Sequence, residues 1–204
     1  MLTPIERRGI ALIAVVVTLA LIAAAAAVVV PVLAGHEQMR DVTETREILQ
    51  SLEYSITNGT GSANGAQGFR TSIGNKVPGR LSQLVIPITS SDRRCSGSKY
   101  GGGDINDWNN NGPFSGLYIA LGDGVQTPIG MIRDTVLPTA NAKVPNGDMG
   151  FVMDSITADD AKLLDLLVDG TSPPDSSSGR LLYDVSPSWP ARRIVYYLTV
   201  VAGC

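Results

Sequence analysis

Three patterns of apolar and polar positions follow one another along this chain, and the first is a long apolar run. Residues 10–34 contain no charged side chain, and Thr18 and Pro31 are the only breaks in the run. A hydrocarbon core of about 30 Å is spanned by about 20 apolar helical residues, so the run predicts a membrane-spanning helix. Arg7 and Arg8 precede the run. Because positive charge stays on the cytoplasmic side of the membrane, the N-terminus should lie in the cytoplasm.

A cleaved signal peptide is a competing interpretation of the same run. The apolar region of such a peptide is normally about 7–15 residues long and ends at a small-residue cleavage site. This run is longer, although residues 32–34 resemble a weak cleavage site. A secreted protein cut near Ala34 therefore stays as an alternative.

In the second pattern, over residues 36–57, the spacing places the apolar residues on one side of a helix. Apolar residues recur at intervals of three and four, with a polar gap near Thr45 and charged residues between them: Met39, Val42, Leu49, Leu52 and Ile56. This spacing predicts an amphipathic helix whose apolar side needs a second layer to cover it. Pro31 removes one backbone donor and is expected to bend the helix rather than end it, so one helix should run over residues 10–57.

The third pattern, over residues 58–204, alternates short β-branched or aromatic segments with loops rich in glycine and asparagine, which predicts one globular β-rich domain. Strands are predicted at residues 80–88, 116–121, 129–136, 150–156, 179–185 and 192–201. A helix is predicted between Thr157, as its N-cap, and Gly170, as its stop. The predicted fold class is α+β, a long N-terminal helix packed on an antiparallel sheet.

Composition and charge argue against several classes of function. The net charge is −3 and no basic stripe is present, which argues against a nucleic-acid surface. The only histidine, His36, lies beside the apolar run, and the sequence contains no nucleophile-and-base motif or phosphate-binding loop. An enzyme is therefore not expected.

One stretch, GGGDINDWNNNGPF, suggests a metal site. Asp107, Asn109 and Asn111 take the first, third and fifth positions before a glycine, as in the front of a calcium loop. The twelfth position is Tyr118 instead of glutamate, so a further ligand has to come from elsewhere, with Asp104 as the candidate. The competing interpretation is a plain turn, because asparagine and aspartate bond their own backbone.

The N-terminal motif gives a family resemblance. Residues 1–9 form a short basic leader that ends in Gly9, the apolar run starts directly at Ile10, and Pro31 is the twenty-second residue counted from Ile10. Over positions 1 to about 57 the chain resembles type IV pilins and type II secretion pseudopilins. The resemblance implies cleavage by a prepilin peptidase between Gly9 and Ile10, methylation of the new N-terminus, and packing of residues 10–34 against other pilin or pseudopilin subunits.

The same resemblance implies a location and a function. The chain would enter the bacterial inner membrane with its C-terminal domain in the periplasm, and then join a pilus or pseudopilus as a structural subunit. The family usually carries glutamate at the fifth mature position, where this chain has Ala14. The K-type pseudopilin at the filament tip is a family member of this kind, so a minor or tip subunit is expected. The competing interpretation is that Ala14 only marks a divergent pilin-like protein. The competing class is a signal-anchored periplasmic binding domain that does not polymerise.

Cys95 and Cys204 both follow the apolar run and would meet an oxidising compartment. We therefore predict a Cys95–Cys204 disulfide, with two free buried thiols as the alternative. Pilins commonly close a C-terminal region with such a bond, so the resemblance points the same way. Some secretion pseudopilins bind Ca²⁺, and the resemblance in that respect supports the calcium interpretation of residues 104–111.

Overall fold

The structure, a computed structural model, describes residues 4–57, 67–137, 149–170, 179–183 and 193–199. Side chains are described throughout these ranges except at residues 4–14, 26, 28–34, 137 and 193–199. The chain divides into two compact units, Met1–Arg40 and Asp41–Cys204.

The helices are α1 (Pro4–Thr57), α2 (Phe69–Ser72), α3 (Gly102–Asn111) and α4 (Ala158–Asp169), with a 3-10 helix at Leu81–Leu84. The strands are β1 (Val125–Thr127), β2 (Gly130–Leu137), β3 (Met149–Ile156), β4 (Leu181–Tyr183) and β5 (Arg193–Thr199). The described strands form an antiparallel sheet in the order β1-β2-β3-β5-β4. The α+β class predicted from the sequence is confirmed.

The sheet of the second unit buries one of its faces. The β2–β3 register pairs Ile132 with Met153 and Val136 with Phe151, and all four side chains are buried. Arg133, which follows Ile132 on β2, is exposed. Because successive side chains of a strand point to opposite faces, the core lies against one face of the sheet and solvent against the other.

The last part of α1 supplies apolar residues to the same core. Val42, Leu49, Leu52 and Ile56 are fully buried, as the spacing predicts. Thr45, the polar residue within this stripe, is also fully buried. Its hydroxyl is satisfied because it donates to the carbonyl oxygen of Asp41 at 2.9 Å. Met39 was expected in the stripe, but it belongs to the first unit and is 42 % exposed.

α1 begins at Pro4, within the predicted leader, and ends at Thr57, where the predicted helix ended. Pro31 lies inside it and does not end it. The predicted helix after Thr157 is also confirmed as α4. The Thr157 hydroxyl accepts from the backbone N–H of Asp160 at 3.2 Å, and Gly170 closes the helix in the left-handed region at φ 69°.

Two predicted strands are absent from the described part of the second unit. Residues 80–88 contain the 3-10 helix instead of a strand. Residues 116–121 are irregular apart from a single bridge between Ala120 and Gly124. The predicted strands near residues 129–136, 150–156, 179–185 and 192–201 are confirmed as β2, β3, β4 and β5.

An aromatic cluster forms the core of the irregular segment 67–124. Phe69 and Phe114 meet edge to face at a centroid distance of 5.2 Å, Trp108 meets Phe114 at 5.9 Å, and Tyr100 meets Phe69 at 6.3 Å. The buried amide of Gln83 lies beside this cluster and accepts from the Tyr100 hydroxyl at 3.0 Å. Edge-to-face geometry adds attraction beyond area burial, so this cluster holds α2 and α3 together.

Asp134 joins three parts of the second unit through one buried carboxylate. It accepts from the Ser82 backbone N–H at 2.6 Å, the Ser82 hydroxyl at 2.8 Å and the Gly122 backbone N–H at 2.9 Å. These contacts tie the 3-10 helix and the turn at Gly122 to β2. A buried donor left without its acceptor costs about 1–3 kcal/mol, so the carboxylate is expected to fix this part of the chain.

We expect Asp134→Ala to lower the free energy of unfolding by about 2–4 kcal/mol, because it leaves the two buried donors of Ser82 and the part-buried backbone N–H of Gly122 without an acceptor. Urea titration of the full chain in detergent micelles, followed by tryptophan fluorescence, measures the change. Arg133→Ala on the same strand is the control, because the Arg133 side chain is half exposed in its ion pair with Asp154 and such a pair is worth about 1 kcal/mol or less. Equal losses in the two variants would contradict the role given to Asp134.

Candidate assembly helix

The first unit presents apolar side chains to its surroundings over more than two turns of α1. Residues 15–25 are all exposed. The larger side chains among them are between 51 % and 66 % exposed: Val15, Val16, Val17, Leu19, Leu21 and Ile22. An exposed apolar patch of this kind marks a protein or membrane interaction site.

These side chains surround the helix and do not form a stripe. Successive residues of an α-helix are rotated by about 100°, so Val15, Val16 and Val17 alone already point to three sides. A helix that is apolar all round is normally buried in a large core or in a membrane. Among the described residues of the first unit, no second layer covers these side chains.

Thr18, the polar residue within this stretch, makes its hydrogen bond inside the helix. Its hydroxyl donates to the carbonyl oxygen of Val15 at 2.8 Å. A hydroxyl satisfied by its own helix needs no water. The stretch can therefore enter lipid or a bundle of apolar helices without leaving that donor unsatisfied.

A search of the described residues found no helix long and apolar enough to cross a membrane.

The residues of the predicted processing site lie at the start of α1. Gly9, Ile10 and Ala14 fall within the helix by backbone, and their side chains lie outside the described residues. Cys95 is buried, at 6 % exposed, and is disulfide-bonded. Cys204, its predicted partner, also lies outside the described residues, so the Cys95–Cys204 pairing stays a prediction.

The segment predicted as a calcium loop is a helix. Asp104, Asp107, Asn109 and Asn111 all lie on α3, which runs from Gly102 to Asn111. At 100° per residue, Asn109 points away from Asp107 and Asn111, so these oxygens do not converge as the alternate positions of a calcium loop do. The Asn111 amide donates instead to the backbone oxygen of Asp107 at 2.8 Å.

No group of three or more His, Cys, Asp and Glu side chains is placed to hold a metal ion within the ranges that the structure describes.

Asp104 has a structural role at the start of α3. Its carboxylate accepts from the Gly101 backbone N–H at 2.8 Å and from the ammonium group of Lys76. Burial would raise the pKa of the Asp104 carboxyl, but the hydrogen bonds from Lys76 and Gly101 outweigh it and hold the pKa below its ordinary value. The sequence analysis missed Lys76, because nothing in the local pattern links it to α3.

Comparison with protein-family models, curated proteins and solved structures found no match to this chain.

We expect Lys76→Met to lower the free energy of unfolding by about 1 kcal/mol at pH 7 and by clearly less at pH 2.5. A carboxyl whose pKa is lowered on folding contributes stability above its unfolded pKa of about 3.9. That contribution is lost as the pH falls through the folded pKa. Urea titration of the full chain in micelles at the two pH values measures it.

Lys162→Met is the matched control for this experiment. Lys162 pairs with Asp159 at 3.7 Å in an exposed position, where both side chains are more than half exposed, so its loss should cost about 0.5 kcal/mol or less at pH 7. A Lys76→Met effect no larger than that of Lys162→Met, or one unchanged at pH 2.5, would contradict the role of the Lys76–Asp104 pair.

Proposed function

We propose that this chain is a structural subunit of a type IV pilus or a type II secretion pseudopilus. It enters the inner membrane through residues 10–34, loses its leader between Gly9 and Ile10, and joins the filament through the same helix. The domain after Thr57 remains in the periplasm and meets neighbouring subunits. The subunit acts by assembly and carries out no reaction.

The observation that carries this proposal is the exposed apolar surface around α1 at residues 15–25. Transfer of a valine, leucine or isoleucine side chain out of water contributes about 1.5–3 kcal/mol. Six such exposed side chains create a strong drive towards lipid before assembly and towards other apolar helices afterwards. A helix that leaves lipid for a helix bundle keeps this cover, so it can move between membrane and filament.

The arrangement along α1 supports the same interpretation. Residues 42–56 turn a narrow apolar stripe towards the core of the second unit, whereas residues 15–25 are apolar on every side. One helix therefore carries both an internal packing surface and a surface for external partners. A subunit whose folded domain has to be attached to a helical filament core needs this combination.

The place of the subunit in the filament follows from Ala14. In the family that the N-terminus resembles, a glutamate at this position pairs with the free amine of a neighbouring subunit. An amine buried among apolar helices without a counter-charge is costly. A subunit without the glutamate that repeated along a filament would leave the amine of a neighbouring subunit unpaired at each step. A tip subunit has no preceding subunit whose amine it would have to neutralise. We therefore propose a minor, tip-located subunit.

The first prediction of this proposal concerns processing. Mass spectrometry of chain purified from membranes that contain a prepilin peptidase should show a mature N-terminus at Ile10, carrying one methyl group. Gly9→Leu should block the cleavage, whereas Gly35→Leu, at the other end of the apolar run, should not. An intact Met1 would favour the signal-anchored binding domain, and a start at Gly35 would favour a secreted protein; either result would refute the proposal.

The second prediction concerns abundance. Quantitative mass spectrometry of purified filaments should find this chain as a small minority of all subunits. Ala14→Glu should raise its fraction, because the added carboxylate can neutralise a neighbouring amine, whereas Ala14→Gln, of nearly equal shape but uncharged, should not. A wild-type chain that dominates the filament, or equal fractions for the Glu and Gln variants, would refute the tip assignment and leave the subunit assignment in place.

A further inference from the structure

Positive charge is concentrated in one part of the second unit. Six of the 16 lysine and arginine residues lie between positions 70 and 99, whereas only one of the 19 aspartate and glutamate residues, Asp92, lies there. The chain as a whole has a net charge of −3. The folded unit therefore carries a basic region on a protein that is otherwise acidic.

Three of these arginines line one open cleft. The cleft has a volume of about 350 Å³ and is formed by Gly79, Arg80, Ser91, Asp92, Arg93, Arg94 and Gly97. We call it the arginine cleft. The three arginines that line it outnumber the single acidic residue, Asp92, so the lining residues carry an excess of positive charge.

The buried side-chain amide of Gln83 makes hydrogen bonds to the backbone of the segments that carry these arginines. The Gln83 side chain donates to the carbonyl oxygen of Arg93 at 3.1 Å and accepts from the Gly79 backbone N–H at 2.9 Å. A side chain at Gly79 would place its Cβ 2.5 Å from the same Arg93 oxygen, so this close approach of two backbones requires glycine. The arginine cleft therefore rests on a fixed frame.

Within the cleft, the Asp92 carboxylate already has an ion-pair partner and hydrogen-bond donors. It pairs with Arg80 and accepts from the Thr89 backbone N–H and hydroxyl, both at 2.8 Å. Burial would raise the pKa of its carboxyl, but the hydrogen bonds from Thr89 and Arg80 outweigh it and the pKa is lowered. Asp92 is thus charged at neutral pH and neutralises Arg80. Arg94 also interacts with the Asp104 carboxylate, but Lys76 is already paired with that carboxylate, so Arg93 and Arg94 remain the cations in excess.

Arg93 and Arg94 keep most of their donors. A guanidinium group has five N–H donors and no acceptor. Arg93 uses one, which donates to the carbonyl oxygen of Gly97 at 2.7 Å. The Nε of Arg94 is buried and has no hydrogen-bond partner among the described residues. The buried Nε of Arg94 does not reach the cleft, so the donors open to an anion are the remaining N–H groups of Arg93 and Arg94.

We propose that the arginine cleft binds a protein segment that presents carboxylates, such as an acidic loop on a neighbouring subunit. A guanidinium group matches a carboxylate with two parallel hydrogen bonds, and two neighbouring arginines match two acidic side chains. A nucleic acid fits less well, because the residues lining the cleft include no aromatic side chain for stacking and Asp92 would face the phosphates. The neighbouring subunit as the source of this segment rests on the proposed function, whereas binding of carboxylates by the cleft can be tested without assembly through α1.

The test uses the full chain in nonionic detergent micelles and a fluorescein-labelled hexaglutamate peptide, with binding followed by fluorescence anisotropy. We expect saturable binding that weakens as salt is raised. Arg93→Gln/Arg94→Gln should weaken binding by about tenfold or more, since two charge pairs are lost. Arg94→Lys, which keeps the charge but loses the planar fork, should weaken it by a smaller factor.

Arg133→Gln/Lys162→Gln is the matched control, because it removes the same charge from elsewhere in the second unit and should leave binding within about twofold of the wild type. Circular dichroism melting checks that each variant is folded. Equal weakening in the control, or no weakening in Arg93→Gln/Arg94→Gln, would overturn the proposal. Equally tight binding of glycerol phosphate or of a single-stranded oligonucleotide with the charge of hexaglutamate would show a general anion or nucleic-acid site and would also overturn it.

Discussion

The need to keep the apolar surface of α1 away from water is the constraint on which the rest of the structure depends. In the second unit the sheet and its neighbours meet this need, and the core that results contains Val42, Leu49, Leu52 and Ile56. Each of these side chains contributes about 1.5–3 kcal/mol on burial, against a total stability of about 5–15 kcal/mol for a typical domain. In the first unit no described residue gives such cover to residues 15–25.

Buried polar groups fix the segment in which regular structure is scarce. Between positions 67 and 124 few backbone groups are paired in helices or strands, so side chains have to satisfy them. Asp134 does so for Ser82 and Gly122, and Gln83 does so for Gly79 and Arg93. The same bonds that satisfy the backbone hold the arginine cleft in place, so stability and the proposed recognition share one set of contacts.

The elements with a clear period were predictable, and those without one were not. β2, β3 and α4 follow periods of two and 3.6 residues, because each has one face against the core. Residues 81–84 follow neither period, because Leu81, Ser82, Gln83 and Leu84 are all buried. Gln83 can be buried because its polar groups have hydrogen-bond partners in the interior. α3 is rich in asparagine and glycine, which favour loops. It is stabilised as a helix by Asp104 and by the Trp108 indole, which donates to the backbone carbonyl oxygen of Gln83 at 2.7 Å.

The sequence by itself determined the long helix, its change from apolar on all sides to apolar on one side, and the antiparallel character of the domain that follows. These features depend on local periodicity and on the sign and spacing of charges, which can be read without coordinates. The tertiary structure decided the contacts between distant residues, such as Lys76 with Asp104, 28 positions apart, and Ser82 with Asp134, 52 positions apart. Such pairs depend on the path of the irregular loops, and that path is set by packing and by the satisfaction of buried polar groups rather than by any local pattern.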